Sequence, residues 1–440
     1  MFQLSKAGEA IQTFFQRTAD RLARVSGFVQ RESKVTGAHW VQTLTFGFIE
    51  TPEATLNQLA QVSADLGVSV TPQGLEDRMT DAAVQFLQAM LSESLKLFRQ
   101  EQSLPVELLD RFSAVELLDS SSVGLPASMA DEFPGCGGDG PEASVKVQLL
   151  VELRQGRLAI TLEAGRSPDQ TYVPTPHCLP GSLRISDLGY FNVEGFAQID
   201  QDEAFFLSRL NTQTALFDPD GGERIDVLAW LQSTEANRFE RPVLLGLETR
   251  LPVRLFVTRL PQEVADERRR KAQEAARRKG RTLSPRHLAL LNWSLYITNA
   301  PPELLNFEEA VCLAPRRVRW QIELIFKVWK SEAQLDRVAG RRRPRVLCEL
   351  YAKLIGVVIT HMLSAPFRWL KRELSLTKAY QCLRRLALRL AHSLKNLSEL
   401  ADGLTLLQAR WSKFALKDKR KARVSSLEEL RQVTRPANIT

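Results

Sequence analysis

A mixed α/β sheet between two helical regions is the architecture this chain of 440 residues predicts. Three observations carry that expectation. Alternating apolar runs, each the length of a strand, gather in the middle of the chain and include a hairpin signal. Residues before 105 and after 330 instead repeat apolar positions at helical spacing. The length suits two or three domains rather than one, and an apolar fraction of 44% allows sizeable cores.

The charge balance is 59 − 51 = +8, with Arg prominent in several clusters. That points to a polyanionic partner, nucleic acid first and membrane surface second. Cys136, Cys178, Cys312, Cys348 and Cys382 are widely scattered, without CxxC or Cys/His metal spacing, which suits a reducing compartment. The N-terminus lacks the basic and apolar regions of a signal peptide. The most apolar segment, 354–363, is too short to cross a bilayer and contains His361. A soluble cytoplasmic protein with no membrane partner is expected.

Residues 1–45 place Ile11, Phe14, Phe15, Leu22 and Val25 at helical intervals, with Arg17, Arg21 and Arg24 between them. Thr51-Pro52 reads as a cap-plus-proline helix start, and that helix carries Leu56, Leu59, Ala60 and Val62. It stops near Gly67, and Thr71-Pro72 starts a second, short helix to Met79. The outline is a helix-turn-helix offering Gln73, Glu76, Asp77 and Arg78 outward, or an ordinary helical hairpin. A further amphipathic helix covers 81–100.

Val115–Asp119 reads as a strand ending in an aspartate, and a Gly-rich loop follows at 134–141. The runs 145–153 and 157–163 form the hairpin. Leu183–Asp187 is a short strand ending in a second aspartate. A short helix over 194–201 and a strand over 204–210 come next. Residues 215–300 read as a separate β-rich insertion with a charged helix from Asp266 to Lys279. That helix is either a solvated surface element or an arm for a phosphate backbone. Long helices are expected over 347–363 and 374–400, before a basic tail with Lys413, Lys417, Lys419, Arg420, Lys421 and Arg423.

The stretch 316–330 concentrates the chemistry. At 100° per residue, Arg316, Arg319, Glu323 and Lys330 share one stripe, and Val318, Ile322, Ile325 and Trp329 share another. One face can pack on a core, while the other presents a carboxylate among cations. That is either a salt-bridge network or a metal ligand beside a polyanion site. Asp119 and Asp187 lie at strand ends, where ligands gather in open α/β sheets. Together with Glu323 they can surround two hard cations. Oxygen-only ligation suits Mg²⁺ or Mn²⁺, and two such ions serve phosphoryl transfer. Arg319 and Lys330 would neutralise phosphates beside them.

Four segments carry a resemblance. They are Asp119-Ser-Ser-Ser-Val-Gly-Leu-Pro126, Asp187-Leu-Gly-Tyr-Phe191, Trp293-Ser-Leu-Tyr-Ile-Thr-Asn299, and Arg319-Trp-Gln-Ile-Glu323 with Lys330 beyond. In this order they resemble the bacterial insertion-sequence DDE transposases of the Y-R-E-K, insertion-sequence-four type. The likeness covers roughly residues 45–365, and residues 51–79 are similar to that family's DNA-binding region. The family's tyrosine is Arg316 here, so a guanidinium replaces a phenol at a phosphate contact.

The resemblance implies an RNase H-like catalytic core, α/β or α+β, holding two Mg²⁺ or Mn²⁺ ions on Asp119, Asp187 and Glu323. It implies phosphate contacts at Arg319, Lys330 and Arg316, with DNA contacts at Gln73 and Arg78. The DNA would be the element's terminal inverted repeats and its target, cleaved and joined through a 3′-hydroxyl by a homodimer at the bacterial nucleoid. The expected division is 1–104 helical and DNA-binding, 105–214 first part of the core, and 215–300 β-rich insertion. Then come 301–365, the second part of the core, and 366–440, helical with dimerisation and the basic tail. Trp293 is read as strand core rather than a platform for an unpaired base. A catalytically inactive DNA-binding repressor is the main alternative, and a host nuclease on the same scaffold is another.

Overall fold

The computed structural model describes residues 4–97, 106–138, 140–174, 178–278, 280–313, 320–364 and 374–418. The chain opens with α1 (Leu4–Thr13), a π turn and α2 (Ala19–Val25), then α3 (Gly37–Glu50). Ile11, Phe14, Phe15 and Leu22 are buried, but Val25 is 77% exposed, because it is the last residue of α2. Helices α4 (Leu56–Asp65), α5 (Pro72–Arg78) and α6 (Asp81–Lys96) follow.

The start of α4 differs from the expected Thr51-Pro52. Thr51 ends α3 instead, and its carbonyl accepts from Ala54 N–H at 2.9 Å. Thr55 makes the cap through a reciprocal pair with Gln58: Gln58 N–H donates to the Thr55 hydroxyl at 3.3 Å, and Thr55 N–H donates to Gln58 Oε1 at 2.9 Å. That box satisfies two orphan donors where a lone threonine satisfies one. Thr71 and Pro72 start α5 as the sequence predicts. Gly67, at φ +97°, supplies the left-handed turn between the two helices.

After α7 (Glu107–Asp110) come β1 (Val115–Leu125), β2 (Ala143–Glu152), β3 (Leu158–Ala164), β4 (Leu183–Ser186), α8 (Val193–Gln201) and β5 (Phe205–Arg209). Next are β6 (Leu216–Phe217), α9 (Val227–Ser233), β7 (Arg238–Leu245), β8 (Leu251–Arg259), α10 (Gln262–Arg278), α11 (Pro285–Leu290) and β9 (Trp293–Thr298). Among the described residues these nine strands form one sheet, in the order β3-β2-β1-β4-β5-β9-β8-β7-β6. Strand β1 is antiparallel to β2 and parallel to β4, and β4 is parallel to β5. This is an RNase H-like core sheet. The strands of the 215–300 segment continue it: β9 pairs antiparallel with β5 on one side and β8 on the other. The added strands have their own apolar cluster around Phe206, Leu231, Val243, Leu255 and Ile297.

The last elements are α12 (Phe307–Leu313), α13 (Trp320–Ser331), α14 (Arg343–Ser364), α15 (Leu376–Arg384), α16 (Ala387–Ser393) and α17 (Leu397–Phe414). The expected single helix over 374–400 is broken twice, at Arg385–Leu386 and before Asn396, whose side chain caps α17. Helix α14 is long and apolar enough to cross a membrane by length and composition, yet its whole apolar window is buried. It packs on α3 and α6, α16 packs on α3, and α1 packs on α17. One apolar core therefore runs from the N-terminal helices through β1, β2 and β4 to the C-terminal helices.

Candidate active site

Asp119 is not the last residue of its strand. It is the fifth residue of β1, which continues through Ser120, Ser121 and Ser122 to Leu125. The serine run hid the strand, because its side chains are polar although its backbone pairs fully with β2. Pairing of β1 with β4 ends at Leu118 opposite Ser186. Asp119 and Asp187 are therefore the residues that directly follow the last pair of these two parallel strands. Asp187 precedes the 3-10 turn Leu188–Tyr190, and its backbone carbonyl accepts from Tyr190 N–H at 3.0 Å. Upstream, buried Arg184 donates Nε and Nη2 to Glu116 Oε2 at 3.1 and 2.7 Å, and the two residues are register partners. That ion pair stitches β1 to β4 just before the aspartates.

Directly opposite residues of an antiparallel pair project to one face. Asp119 lies opposite Leu149, on the face that carries the buried Leu117, Val123 and Val147. Helix α13 packs on β1. Its Ile322, Ile325 and Trp329 are buried in the shared core, as the stripe analysis requires, while Glu323 and Lys330 are half-buried. Lys330 Nζ donates to the Ser122 carbonyl at 3.1 Å, which ties the helix to the strand bearing Asp119. Asp119, Asp187 and Glu323 each have interaction partners of their own. Among the described residues no three His, Cys, Asp or Glu side chains form a group able to hold a metal ion. Arg316, Arg319 and the stripe residue Val318 lie outside the described residues.

The far end of α13 is clamped. Arg384 Nη2 donates to the Glu332 carbonyl at 2.5 Å, and Gln381 Nε2 donates to Glu332 Oε1 at 3.1 Å. Lys353, on α14, donates to the carbonyls of Gln334 and Arg337 at 3.2 and 2.6 Å and to Glu349 Oε1 at 2.8 Å. Lys353 and Glu349 expose 1% and 4% of their side chains, so this is a buried ion pair that pins the chain leaving α13.

The reverse face of β1 and β2 carries a polar network absent from the sequence expectations. Asp169 Oδ1 accepts from Ser120 Oγ at 3.1 Å, Lys146 Nζ at 3.0 Å and Gln148 Nε2 at 3.4 Å. Tyr190 Oη donates to Gln148 Oε1 at 2.5 Å. Burial pushes the Tyr190 phenol far up, so it stays a donor. The network thus braces the residue after Asp119 and the turn after Asp187 from one side. One signal was readable: Lys146 and Gln148 interrupt an apolar strand at alternate positions, yet both are buried.

Residues expected to meet DNA on α5 are differently engaged. Gln73 and Asp77 are exposed and bonded to each other at 2.8 Å. Arg78 Nη1 donates back to the Gly74 carbonyl at 2.9 Å. Glu76 does not face outward as expected; it pairs with Arg345 at 2.9 Å, because an arginine-rich segment docks there. Trp293 is buried in the second apolar cluster, as strand core. On α10, Arg268 Nη1 meets the Trp293 carbonyl at 3.4 Å and Arg269 bonds Asn292, so the base of this helix is tied to β9.

Residues 111–359 match the family model described as the transposase DDE domain, which covers more than half of the chain. The chain belongs to the DDE transposase family. This transposase is 30% identical, over 389 residues, to the transposase of insertion sequence element IS231C from Bacillus thuringiensis subsp. berliner, covering 82% of this chain and 80% of that one. It is 28% identical to the IS231F transposase of Bacillus thuringiensis subsp. israelensis, across 88% and 87% of the two chains. Identity to the IS1151 transposase of Clostridium perfringens is 27%, across 79% and 78%.

Proposed function

We propose that this transposase cuts DNA at the ends of its insertion sequence and joins the freed 3′-hydroxyl to a target, with Asp119, Asp187 and Glu323 holding two Mg²⁺ or Mn²⁺ ions. The observation that supports this reading is the register of β1 and β4, whose last pair, Leu118 and Ser186, immediately precedes Asp119 and Asp187. Glu323 lies on α13, which packs on the strand that carries Asp119. Seven residues of helix separate Glu323 from Lys330, about 10 Å. Three residues of strand separate Asp119 from Ser122, where Lys330 is bonded, and that is also about 10 Å. The donor set is oxygen only and fits hard divalent cations. Two such ions supply an activated water or hydroxyl and a stabilised leaving oxygen.

The chain's own residues do the rest. Lys330 and Arg319 neutralise phosphate oxygens at the site, with Arg316 as a further guanidinium. The reverse-face network keeps Asp119 and Asp187 in place while the substrate enters. Gln73 and Arg78 on α5 approach the terminal repeats. Two ends must be held together, so the working form is a homodimer on DNA, with the helices beyond residue 365 as its contact. The setting is the bacterial cytoplasm, at the nucleoid.

The test is excision from a donor plasmid. Glu323→Gln keeps shape and removes charge, and we expect it to abolish excision while the protein still binds duplex DNA. Excision at the unmodified level would overturn the assignment of Glu323.

A further inference from the structure

The α4–α5 unit is a poor phosphate binder by itself. From Leu56 to Arg78 it carries Asp65, Glu76 and Asp77 against one arginine, Arg78. That arginine is folded back on the Gly74 carbonyl. Duplex DNA presents a dense row of negative charge, and proteins hold it with Lys and Arg. The cations for a duplex lying on this unit must therefore come from another element.

The fold lays one against it. From the connection after α13 into the first turn of α14 the chain reads Arg337-Val-Ala-Gly-Arg-Arg-Arg-Pro-Arg345, five arginines in nine residues. Arg337 pairs with Glu53, just before α4, at 3.2 Å. Arg345 and Arg342 reach Glu76 of α5 at 2.9 and 3.6 Å. Arg343 pairs with Asp81 at the start of α6 and with Glu132 in the loop after β1. The hydrogen-bonded guanidinium holds the Glu132 carboxyl below its usual range. The segment thus touches both ends of the α4–α5 unit and also the catalytic half, as a strap between them. Arg343 is the pin. Arg342 is 64% exposed, Arg341 is exposed as well, and among the described residues no carboxylate pairs with Arg341.

We propose that the strap Arg337–Arg345 is a phosphate-backbone surface for duplex DNA, occupied by the stretch running from the α4–α5 unit to the β1–β4–α13 site. The inference rests on the DNA-cleaving reading above and adds where the duplex is gripped. Exposed ion pairs such as Arg337 with Glu53 hold weakly, so phosphate can compete for these guanidinium groups. Their contacts carry no base information, so the strap sets position and strength of binding rather than sequence choice.

The experiment uses the full chain and a short duplex of arbitrary sequence, with affinity measured across a salt series. Arg341→Ala/Arg342→Ala should weaken binding at least tenfold at low salt and lower the slope of log affinity against log salt by about 2. A control removing the same charge, Arg224→Ala/Arg238→Ala on the exposed surface of the added strands, should keep the unmodified slope. Arg341→Ala alone breaks no described ion pair, so it guards against misfolding and should lower the slope by about 1. An unchanged slope in the strap variants, or an equal loss in the control, overturns the proposal. If the unmodified chain itself fails to bind duplex, the functional reading falls, which is a different result.

Discussion

The two halves of the candidate site are held by different physics. Asp119 sits on β1 and Asp187 directly follows β4, two parallel strands stitched by the Glu116–Arg184 pair and braced from behind by Asp169, Lys146, Gln148 and Tyr190. Moving Asp119 means breaking its pairing with β2, and Asp187 is tethered one residue beyond the end of β4. Glu323 sits on α13, held by an apolar stripe, by Lys330 on the Ser122 carbonyl and by a clamp at the far end. A helix on a side-chain interface can slide or turn at modest cost, whereas a strand in a ladder cannot. The strand half is therefore the fixed reference of the site, and the helix half is the part that adjusts.

The largest effect expected is loss of chemistry in the strand half. Asp119→Asn should lower end cleavage by about three orders of magnitude, roughly 4 kcal/mol of barrier. A single-turnover cleavage assay on duplex ends reads this, and a residual rate within a few-fold of the unmodified rate would place the site elsewhere.

Next comes the clamp of the helix half. Lys353→Met leaves Glu349 buried without its partner, and stability should fall by about 3–5 kcal/mol. Adding Glu349→Leu should return much of it. Denaturant unfolding of both variants checks the pair; a single variant as stable as the original would mean that the buried pair does not hold the loop after α13.

The brace behind the aspartates predicts a smaller and more selective change. Asp169→Asn should slow cleavage about tenfold, about 1.4 kcal/mol, with duplex affinity unchanged. If Ser120→Ala slows cleavage too, the link runs through Ser120; equal rates for both variants and the original would show that the strands need no brace.

The smallest effect concerns the helical region. His39 on α3 bonds Ser63 of α4 at 2.9 Å, and burial, helped by the nearby Lys395, pushes it down to about 4. The folded value lies below the unfolded one, so the unfolded chain takes up the proton first as pH falls. Stability should decline from about pH 6.5 towards about pH 4 and level off below. His39→Gln should flatten that part of a thermal-unfolding profile, and an unchanged profile would remove His39 as its cause.

Much of this was legible beforehand, and for local reasons. The Thr71-Pro72 start, the 145–163 hairpin and the apolar stripe of α13 depend on nearest neighbours and periodicity, and the structure bears all three out. What was illegible depends on partners distant in sequence. The first strand reads as ending at Asp119, and only pairing with β2 shows that it continues through Ser120–Ser122. Strands β6–β8 read as a separate insertion, but β9 joins them to β5 through pairings that local pattern does not encode. Lys146 stands out in its apolar strand, but only the fold brings Asp169 to it behind Asp119. The arginines at 337–345 gain meaning from Glu53, Glu76 and Glu132, none of which is near them in the chain.

The most direct test of the shared site is calorimetric titration of Mn²⁺ into the transposase bound to a duplex carrying its element end. The account predicts two ions per active site in the unmodified protein, with fewer or weaker ions for Asp187→Asn and for Glu323→Gln alike. Unchanged Mn²⁺ binding in either variant would contradict the claim that strand and helix build one metal site.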